Sequence, residues 1–448
     1  MHYALIPTMK DLSFPPRIWN PAECMDREAL NALQLYRLKE AVARMSIVPM
    51  YQKKFKEAGV SVEDIKTLDD IRRLPFTTKQ DLREGYPLDY IAVHRSEIAR
   101  IHGSSGTTGK PTFMAYTQED LRTWADLCSR FLVAGGLQPH HLVQISFGYG
   151  MFTGGFGLHY GVENVGAAVI PLAAGNTPRQ VMSLMDLKPE TLICTPSYAT
   201  VIAEEVQRQG ITPDELPLKY AHVGSEPWTE DMRHRIQDAM GIMVFDNWGL
   251  SEAFGPGVSG ECVYQHGMHI QEDRFIVECL DPDTLEPVKP GELGELVITS
   301  LSRKAMSIIR YRTRDLAYIL DEGPCKCGRT TKRMSRIKGR SDDMFIIRGV
   351  NVFPTQIEEA LLRVKGTAPH YVIEIDRPGA MDEMTVNVEI LPEYFSDKMS
   401  DMKEISQKIG DAIKSVTGVR AKLNLVQYAT LERFLGKAKR VIDKRKLG

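Results

Sequence analysis

From Leu142 to Gly249 short apolar runs alternate with stretches of helical period. LVQISF, AAVIPLA, TLICTPS, YAHVGSE and IMVFDNW are nearly unbroken in apolar character and read as strands buried on both faces. Between them lie TPRQVMSLMDLK, with Thr177 as the expected cap and Pro178 at the first helical position, and TEDMRHRIQDAM, capped by Thr229. Such alternation predicts a parallel sheet covered by helices. Ligands of such sheets gather at the carboxyl ends of the strands. The polar clusters there are FGYG after Phe147, Ser197-Tyr198, Gly224-Ser225-Glu226, and Asp246 through Glu252.

The flanks differ. Residues 27 to 59 read as helix, and Thr77 or Thr78 caps a short helix in LPFTTKQDL. A further helix starts at Thr117, with Asp120 as a capping-box partner and Leu121, Trp124, Cys128 and Phe131 on one face. From Gly260 to Arg340 turns such as Asp281-Pro282-Asp283 separate short strands, which predicts antiparallel β-structure. Beyond GRSDD at Gly339 the pattern is that of a smaller α+β unit. Its strands lie near FIIRG, YVIEI, TVNVEI and LNLVQY, and its helices are TQIEEALLRV and SDMKEISQKIGDAIKSV. The expected fold class is therefore α/β. A large N-terminal domain of helix-covered, mostly parallel sheets spans 1–341, with a β-rich subdomain at about 260–340. A small C-terminal domain spans 342–448.

Composition narrows the function classes. The 448 residues are 43% hydrophobic and 25% charged, with a formal net charge of −2. Near-neutrality argues against a large nucleic-acid surface, and no apolar run has the length of a membrane span. MHYALIPTMKDLSF lacks the basic and apolar regions of an export signal. The seven cysteines are odd in number and scattered, which fits a reduced, cytoplasmic protein.

Chemistry concentrates first in IHGSSGTTGKPT, from Ile101 to Thr112. Gly106 and Gly109 let the backbone approach a ligand. Successive N–H groups of such a loop form a nest for an anion, and Ser104, Ser105, Thr107, Thr108 and Lys110 add donors and charge. Phosphate fits; a solvated polar loop would read the same. A Walker A loop is excluded. It needs four residues between its first Gly and Gly-Lys, then Ser or Thr, whereas five residues separate Gly103 from Gly109 and Pro111 follows Lys110. A second concentration is GPCKCGRT, with Cys325 and Cys327, together with GECVYQHGMHI, with Cys262, His266 and His269. A Cys₃His set of Cys262, His269, Cys325 and Cys327 would make a closed structural zinc site. Buried free thiols are the alternative. His269 is preferred to His266 because it lies on a probable strand.

Taken together, SSGTTGKPT, DNWGLSE at Asp246, YRTRD at Tyr311, GRSDDMFIIRGVNVFPTQIE at Gly339 and GKAKRV at Gly436 resemble the adenylate-forming superfamily of acyl-CoA synthetases, luciferases and adenylation domains. FGYGMFTGG, GSEPWTEDMR, GPGVSGEC and RVIDKR are similar to the phenylacetate–CoA ligase family within it. The resemblance runs over nearly the whole chain. It implies AMP-forming ligation of an aryl acid, phenylacetate or a relative, to coenzyme A, with ATP and a magnesium ion. It also implies a small mobile C-terminal domain; the expected partners are the acid and coenzyme A, with a homodimer possible and, from the composition above, no membrane or nucleic acid. A ligase that loads a carrier-protein thiol, and a non-catalytic nucleotide-binding protein on the same fold, are the rivals.

By the same resemblance, the loop Ser104–Lys110 would hold the β- and γ-phosphates, with Thr107 among the catalytic residues. Glu252 would bind magnesium. Asp246, Gly249 and Ser251 belong to the same nucleotide-binding segment. Asp315 would accept from the ribose hydroxyls, and Trp248 would stack near the adenine where the family usually has tyrosine. Glu226 and Pro227 would flank the adenine, and Arg336 and Arg340 would surround the ribose and the domain junction. Lys437 matches the lysine that reaches the α-phosphate and the carboxylate, although Phe434-Leu435 replaces the more common polar pair before Gly436. Asp342 would be the hinge, and Gly349 would line the coenzyme A tunnel. The acid pocket would involve Phe147, Tyr149, Phe152, Gly224 and Pro256; an aromatic cluster after a strand is equally often core.

Overall fold

A computed structural model describes residues 16–104, 111–320, 323–347, 350–378, 382–396, 398–433 and 440–445. Its largest element is a nine-stranded sheet. Five strands run parallel, in the spatial order Ala168–Ile170, Leu142–Ile145, Thr191–Cys194, Tyr220–Gly224 and Met243–Leu250. These are the five apolar runs of the sequence. Alternate residues of Thr191–Cys194 enter different cores: Ile193 packs with Val143 and Ile145, while Leu192 and Cys194 pack with Val181, Ile202 and Ile236 of the covering helices. The sheet is thus buried on both faces, which explains the absence of polar alternation in the runs.

Gly255–Glu261 turns back antiparallel to Met243–Leu250. Met268–Ile270, Arg333–Met334 and Ile319–Leu320 then extend the same sheet. The strands of the 260–340 stretch divide between this sheet and a second one. The second is antiparallel, built from Phe275–Leu280, Gly294–Ser300, Tyr311–Ala317 and Gly339–Arg340.

Two local expectations need correction, and a third, left open between Thr77 and Thr78, is decided for Thr78. Residues 27 to 59 form two helices, Arg27–Met45 and Pro49–Ala58, because Pro49 has no N–H to continue the first. The helix Thr177–Leu187 takes Asn176, not Thr177, at its cap; Asn176 is left-handed with φ 48° and makes no side-chain cap bond. Thr78 caps Lys79–Glu84, whereas Thr77 is buried and donates to the Ile309 carbonyl. The caps at Thr229 and Thr117 form as expected. The helix Gln118–Ala134 meets Thr153–Val165 at very short range. A Cβ on Gly157 would stand 2.3 Å from the Trp124 ring, so only glycine fits there.

The C-terminal unit has a four-stranded sheet of Lys422–Gln427, Glu383–Ile390, Thr367–Asp376 and Val441–Asp443, with helices Pro354–Leu362 and Met399–Thr417. Its core includes Ile357, Ile373, Val386 and Ile409. It is clasped to the large unit through side chains. Arg235 donates to the carbonyls of Leu362 and Thr367, both at 2.9 Å. Glu204 meets His370 Nε2 at 2.9 Å, and Leu362 joins the apolar cluster of the large unit.

Candidate active site

The carboxyl end of Met243–Leu250 and the strand Tyr311–Ala317 bring the predicted nucleotide residues together. Asp315 lies opposite Arg340 across two antiparallel strands, and Arg340 Nη1 donates to Asp315 Oδ1 at 2.9 Å. The other carboxylate oxygen accepts from Trp248 Nε1 at 2.9 Å. Arg340 also donates to Asp342 at 2.9 and 3.0 Å. Burial opposes the charge on Arg340, but Asp315 and Asp342 outweigh it and raise its pKa. A carboxylate is thereby oriented from two sides, and the Arg340 that holds it also holds the expected hinge residue Asp342. The register shift between Trp248 and Gly249 makes the next strand pass very close: a Cβ on Gly249 would lie 2.0 Å from the Gly255 carbonyl.

Glu252 follows in the turn, and its side chain is buried. Tyr311 donates its hydroxyl to Glu252 Oε1 at 3.3 Å; burial, together with the Glu252 charge, pushes the Tyr311 phenol well up. The turn is held by Arg303, which the sequence reading missed. This fully buried guanidinium donates to the carbonyls of Glu252 at 2.7 Å, Ala253 at 3.0 Å and Ala115 at 3.0 Å. Ser251 Oγ bonds Thr153 Oγ1 at 3.0 Å.

The remaining predicted residues take separate places. Ser104 closes the neck of the glycine loop: its N–H donates to the Thr112 carbonyl at 2.9 Å, and its Oγ accepts from Thr112 N at 3.0 Å. Ser105, Gly106, Thr107, Thr108, Gly109 and Lys110 lie outside the described residues, as do Gly349 and Lys437. Glu226 accepts from Ser197 N at 2.6 Å, joining the carboxyl ends of adjacent strands, with Gly224 and Pro227 alongside in sequence. Arg440 Nη2 reaches Ser197 Oγ at 3.3 Å. Asp246 is buried next to Glu261, and burial, then that charge, drives its carboxyl well above the usual range. Arg336 sits with Asp246, at 3.8 Å, and over the Trp228 ring, and it bonds Glu230. Burial lowers the Arg336 pKa to about 10.

Phe147 and Tyr149 are half-buried, with Tyr149 edge-on to Phe156 and its hydroxyl 3.0 Å from His159 Nδ1. Phe152 is 47% exposed at the cap of Thr153–Val165. The Pro256 carbonyl accepts from Trp124 Nε1 at 3.0 Å. Arg100, absent from the sequence reading, lies over the Phe156 and Tyr160 rings at 5.3 and 4.6 Å. A lone arginine before the glycine loop carries no sequence signal for that contact.

Cys262, His269, Cys325 and Cys327 converge elsewhere. All four are buried, and their ligand atoms all lie within 4.8 Å of one another. His269, not His266, belongs to the group. A hydrogen bond with Cys262 is the largest of the effects holding the Cys327 thiol far below its ordinary range.

Met243–Leu250 of the parallel sheet carries Trp248 and leads into the buried Glu252 turn, while the antiparallel sheet presents Asp315 to the Trp248 ring nitrogen. The AMP-binding enzyme family model matches residues 33–302, and that of the AMP-binding enzyme C-terminal domain matches 349–445. The chain belongs to the phenylacetate–CoA ligase family of these enzymes. It is 45% identical to the phenylacetate-coenzyme A ligase of Thermus thermophilus, over 95% of this chain and 98% of that one. The crystal structure of 2-hydroxyisobutyryl-CoA ligase in the postadenylation state with 2-HIB-AMP superposes with a TM-score of 0.90 at 31% identity, covering 98% of this chain and 95% of that one. The same ligase with 2-HIB-AMP and CoA in the thioesterification state gives 0.71 at 31% identity, covering 100% and 97%. Among the described residues no helix is long and apolar enough to cross a membrane.

Proposed function

We propose that this protein is an AMP-forming aryl acid–CoA ligase, with phenylacetate or a close arylacetate as its acid. The acid carboxylate attacks the α-phosphorus of ATP, giving acyl-adenylate and pyrophosphate; the coenzyme A thiol then takes the acyl group and AMP leaves. The observation that carries this reading is the Trp248–Asp315–Arg340 group beside the buried Glu252 turn, in a chain so close to phenylacetate-coenzyme A ligases over its length.

In this reading Asp315 accepts from the ribose hydroxyls, with both its oxygens already aligned by Trp248 and Arg340. Glu252 holds a magnesium ion, which takes one or two carboxylates and keeps waters; bound there, it would neutralise the triphosphate. The glycine loop Ser104–Lys110 takes the terminal phosphates and Lys437 the α-phosphate. Glu226, Pro227, Asp246 and Arg336 shape the adenine side, Gly349 the pantetheine path, and Phe147, Tyr149, Phe152, Gly224 and Pro256 the acid pocket. Asp342 is the hinge between 1–341 and 342–448. A structural zinc at Cys262, His269, Cys325 and Cys327 belongs to the same reading. So does a homodimer, which rests on the family likeness. A reduced, cytoplasmic setting also belongs to this reading, resting on the odd and scattered cysteines.

With phenylacetate, ATP, magnesium and free coenzyme A, the purified protein is expected to release AMP and form the thioester in equal amounts, read by chromatography. Adenylate formation with no transfer to free coenzyme A would instead place the acyl group on a carrier-protein thiol.

A further inference from the structure

We propose that the zinc at Cys262, His269, Cys325 and Cys327 is the fastening of the N-terminal arm, residues 16–27, and that Arg329 transmits it. The proposal rests on the zinc reading given above. The spacing of the ligand atoms supports the metal itself. Zinc–sulfur bonds of about 2.3 Å and zinc–nitrogen bonds of about 2.0 Å set tetrahedral edges of roughly 3.8 Å between sulfurs and 3.5 Å between sulfur and nitrogen. Cys262 Sγ and Cys325 Sγ stand 3.8 Å apart, and Cys327 Sγ stands 3.4 Å from His269 Nε2. Thr331 Oγ1 lies 3.4 Å from His269 Nδ1, where it can accept a hydrogen bond from Nδ1–H and leave Nε2 to bind metal.

Three thiolates around one divalent zinc leave a net charge of −1. Arg329 is placed to answer it, with Nη1 donating to Cys327 Sγ at 3.6 Å. The rest of the same guanidinium grips the arm. Arg329 Nε donates to Glu23 Oε2 at 2.6 Å, and Nη2 donates to the Arg17 carbonyl at 2.8 Å. Both Arg329 and Glu23 are only 2% exposed, so neither has water as an alternative partner. Glu23 in turn accepts from the N–H groups of Trp19 and Asn20 with its other oxygen.

The loop beyond the cysteines adds backbone ties. Thr330 N donates to the Glu23 carbonyl at 3.1 Å, Thr330 Oγ1 to the Met25 carbonyl at 2.6 Å, and Cys24 Sγ to the Gly328 carbonyl at 3.2 Å. Trp19 Nε1 then reaches Asp126 on the helix Gln118–Ala134 at 3.1 Å. The arm has no strand pairing of its own. Arg27, at the end of the arm, is held separately by both Glu272 oxygens at 2.8 and 2.9 Å, but the ties of Arg17, Glu23, Cys24 and Met25 all run to residues 328–330, directly after the Cys-Lys-Cys turn. A metal that fixes this turn also fixes the arm.

The test uses the full chain purified without chelator, which should contain about one zinc. Exchange for cobalt should give thiolate charge-transfer and tetrahedral ligand-field absorption. Trypsin cleavage after Arg17 and Arg27, followed by mass spectrometry, reads the arm. Removing the metal should speed this cleavage at least about tenfold, since proteolysis tracks the open population. Arg329→Met should keep the cobalt spectrum and still release the arm. Glu23→Gln, which leaves the caps of Trp19 and Asn20 available, should do so to a lesser degree. A cobalt form without thiolate bands would overturn the zinc reading. With those bands present, an arm that stays protected in Arg329→Met or in metal-free protein would overturn the fastening alone.

Discussion

Lys437→Ala is expected to slow acid-dependent adenylate formation by about a hundredfold or more, the scale of removing one charge-stabilising donor from a transition state. The same variant should convert supplied acyl-adenylate and coenzyme A to thioester at close to the unchanged rate. The reason is positional. Lysine is a compact, mobile charge, suited to a group that arrives for one step and leaves for the next. Described residues on either side of Lys437 are tied into the present domain arrangement. Arg433 pairs with Glu389 of its own sheet at 2.8 Å and faces Glu204 of the large unit at 3.8 Å. Arg440 reaches Ser197 of the large unit. That arrangement matches the relative in its postadenylation state, at a TM-score of 0.90, better than the thioesterification state at 0.71. Rapid-quench measurement of the two half-reactions separates the outcomes. Equal loss in both would contradict an alternating domain that presents this lysine. Asp342→Pro, at the proposed hinge, should impair the thioester step more than the adenylation step.

Glu252→Gln should be nearly as severe on adenylation, about a hundredfold, and should raise the magnesium concentration needed for half-maximal rate. A neutral amide is a far weaker ligand for a hard cation than a carboxylate. The fold should not suffer. A glutamine oxygen can still accept from Tyr311, and the Arg303 bonds run to main-chain carbonyls that the substitution leaves in place. Pyrophosphate exchange titrated with magnesium, beside a thermal melt, reads both effects. An unchanged magnesium requirement with an unchanged melt would remove Glu252 from the metal site.

The parallel sheet was legible because its strands are buried on both sides, so that each appears as an apolar run between capped helices. The caps at Thr117 and Thr229 were legible for the same local reason. The cap at Asn176 was not, since its left-handed backbone depends on the chain around it and not on side-chain chemistry. Asp315 and Arg340 were found through separate motifs, 25 residues apart from each other, and the structure supplies the register that pairs them. The cysteine–histidine set was visible as two short segments, although Cys262 and Cys325 are 63 residues apart. Arg303 and Arg329 were invisible. Each is a lone arginine whose meaning lies in partners far away in sequence, as with Arg329 and Glu23 at a separation of 306. Burial turns such residues into structural hubs, and burial of a charged side chain has no local sequence signature.

The central claim is acid activation by ATP at the Asp315–Glu252 site. It is tested most directly by exchange of labelled pyrophosphate into ATP in the presence of magnesium and a panel of aryl, heteroaryl and short aliphatic acids, with coenzyme A left out. The account predicts exchange that depends on added acid and is strongest with phenylacetate or a close arylacetate. No acid-dependent exchange with any member of the panel, from protein that is folded by thermal melt, would contradict it.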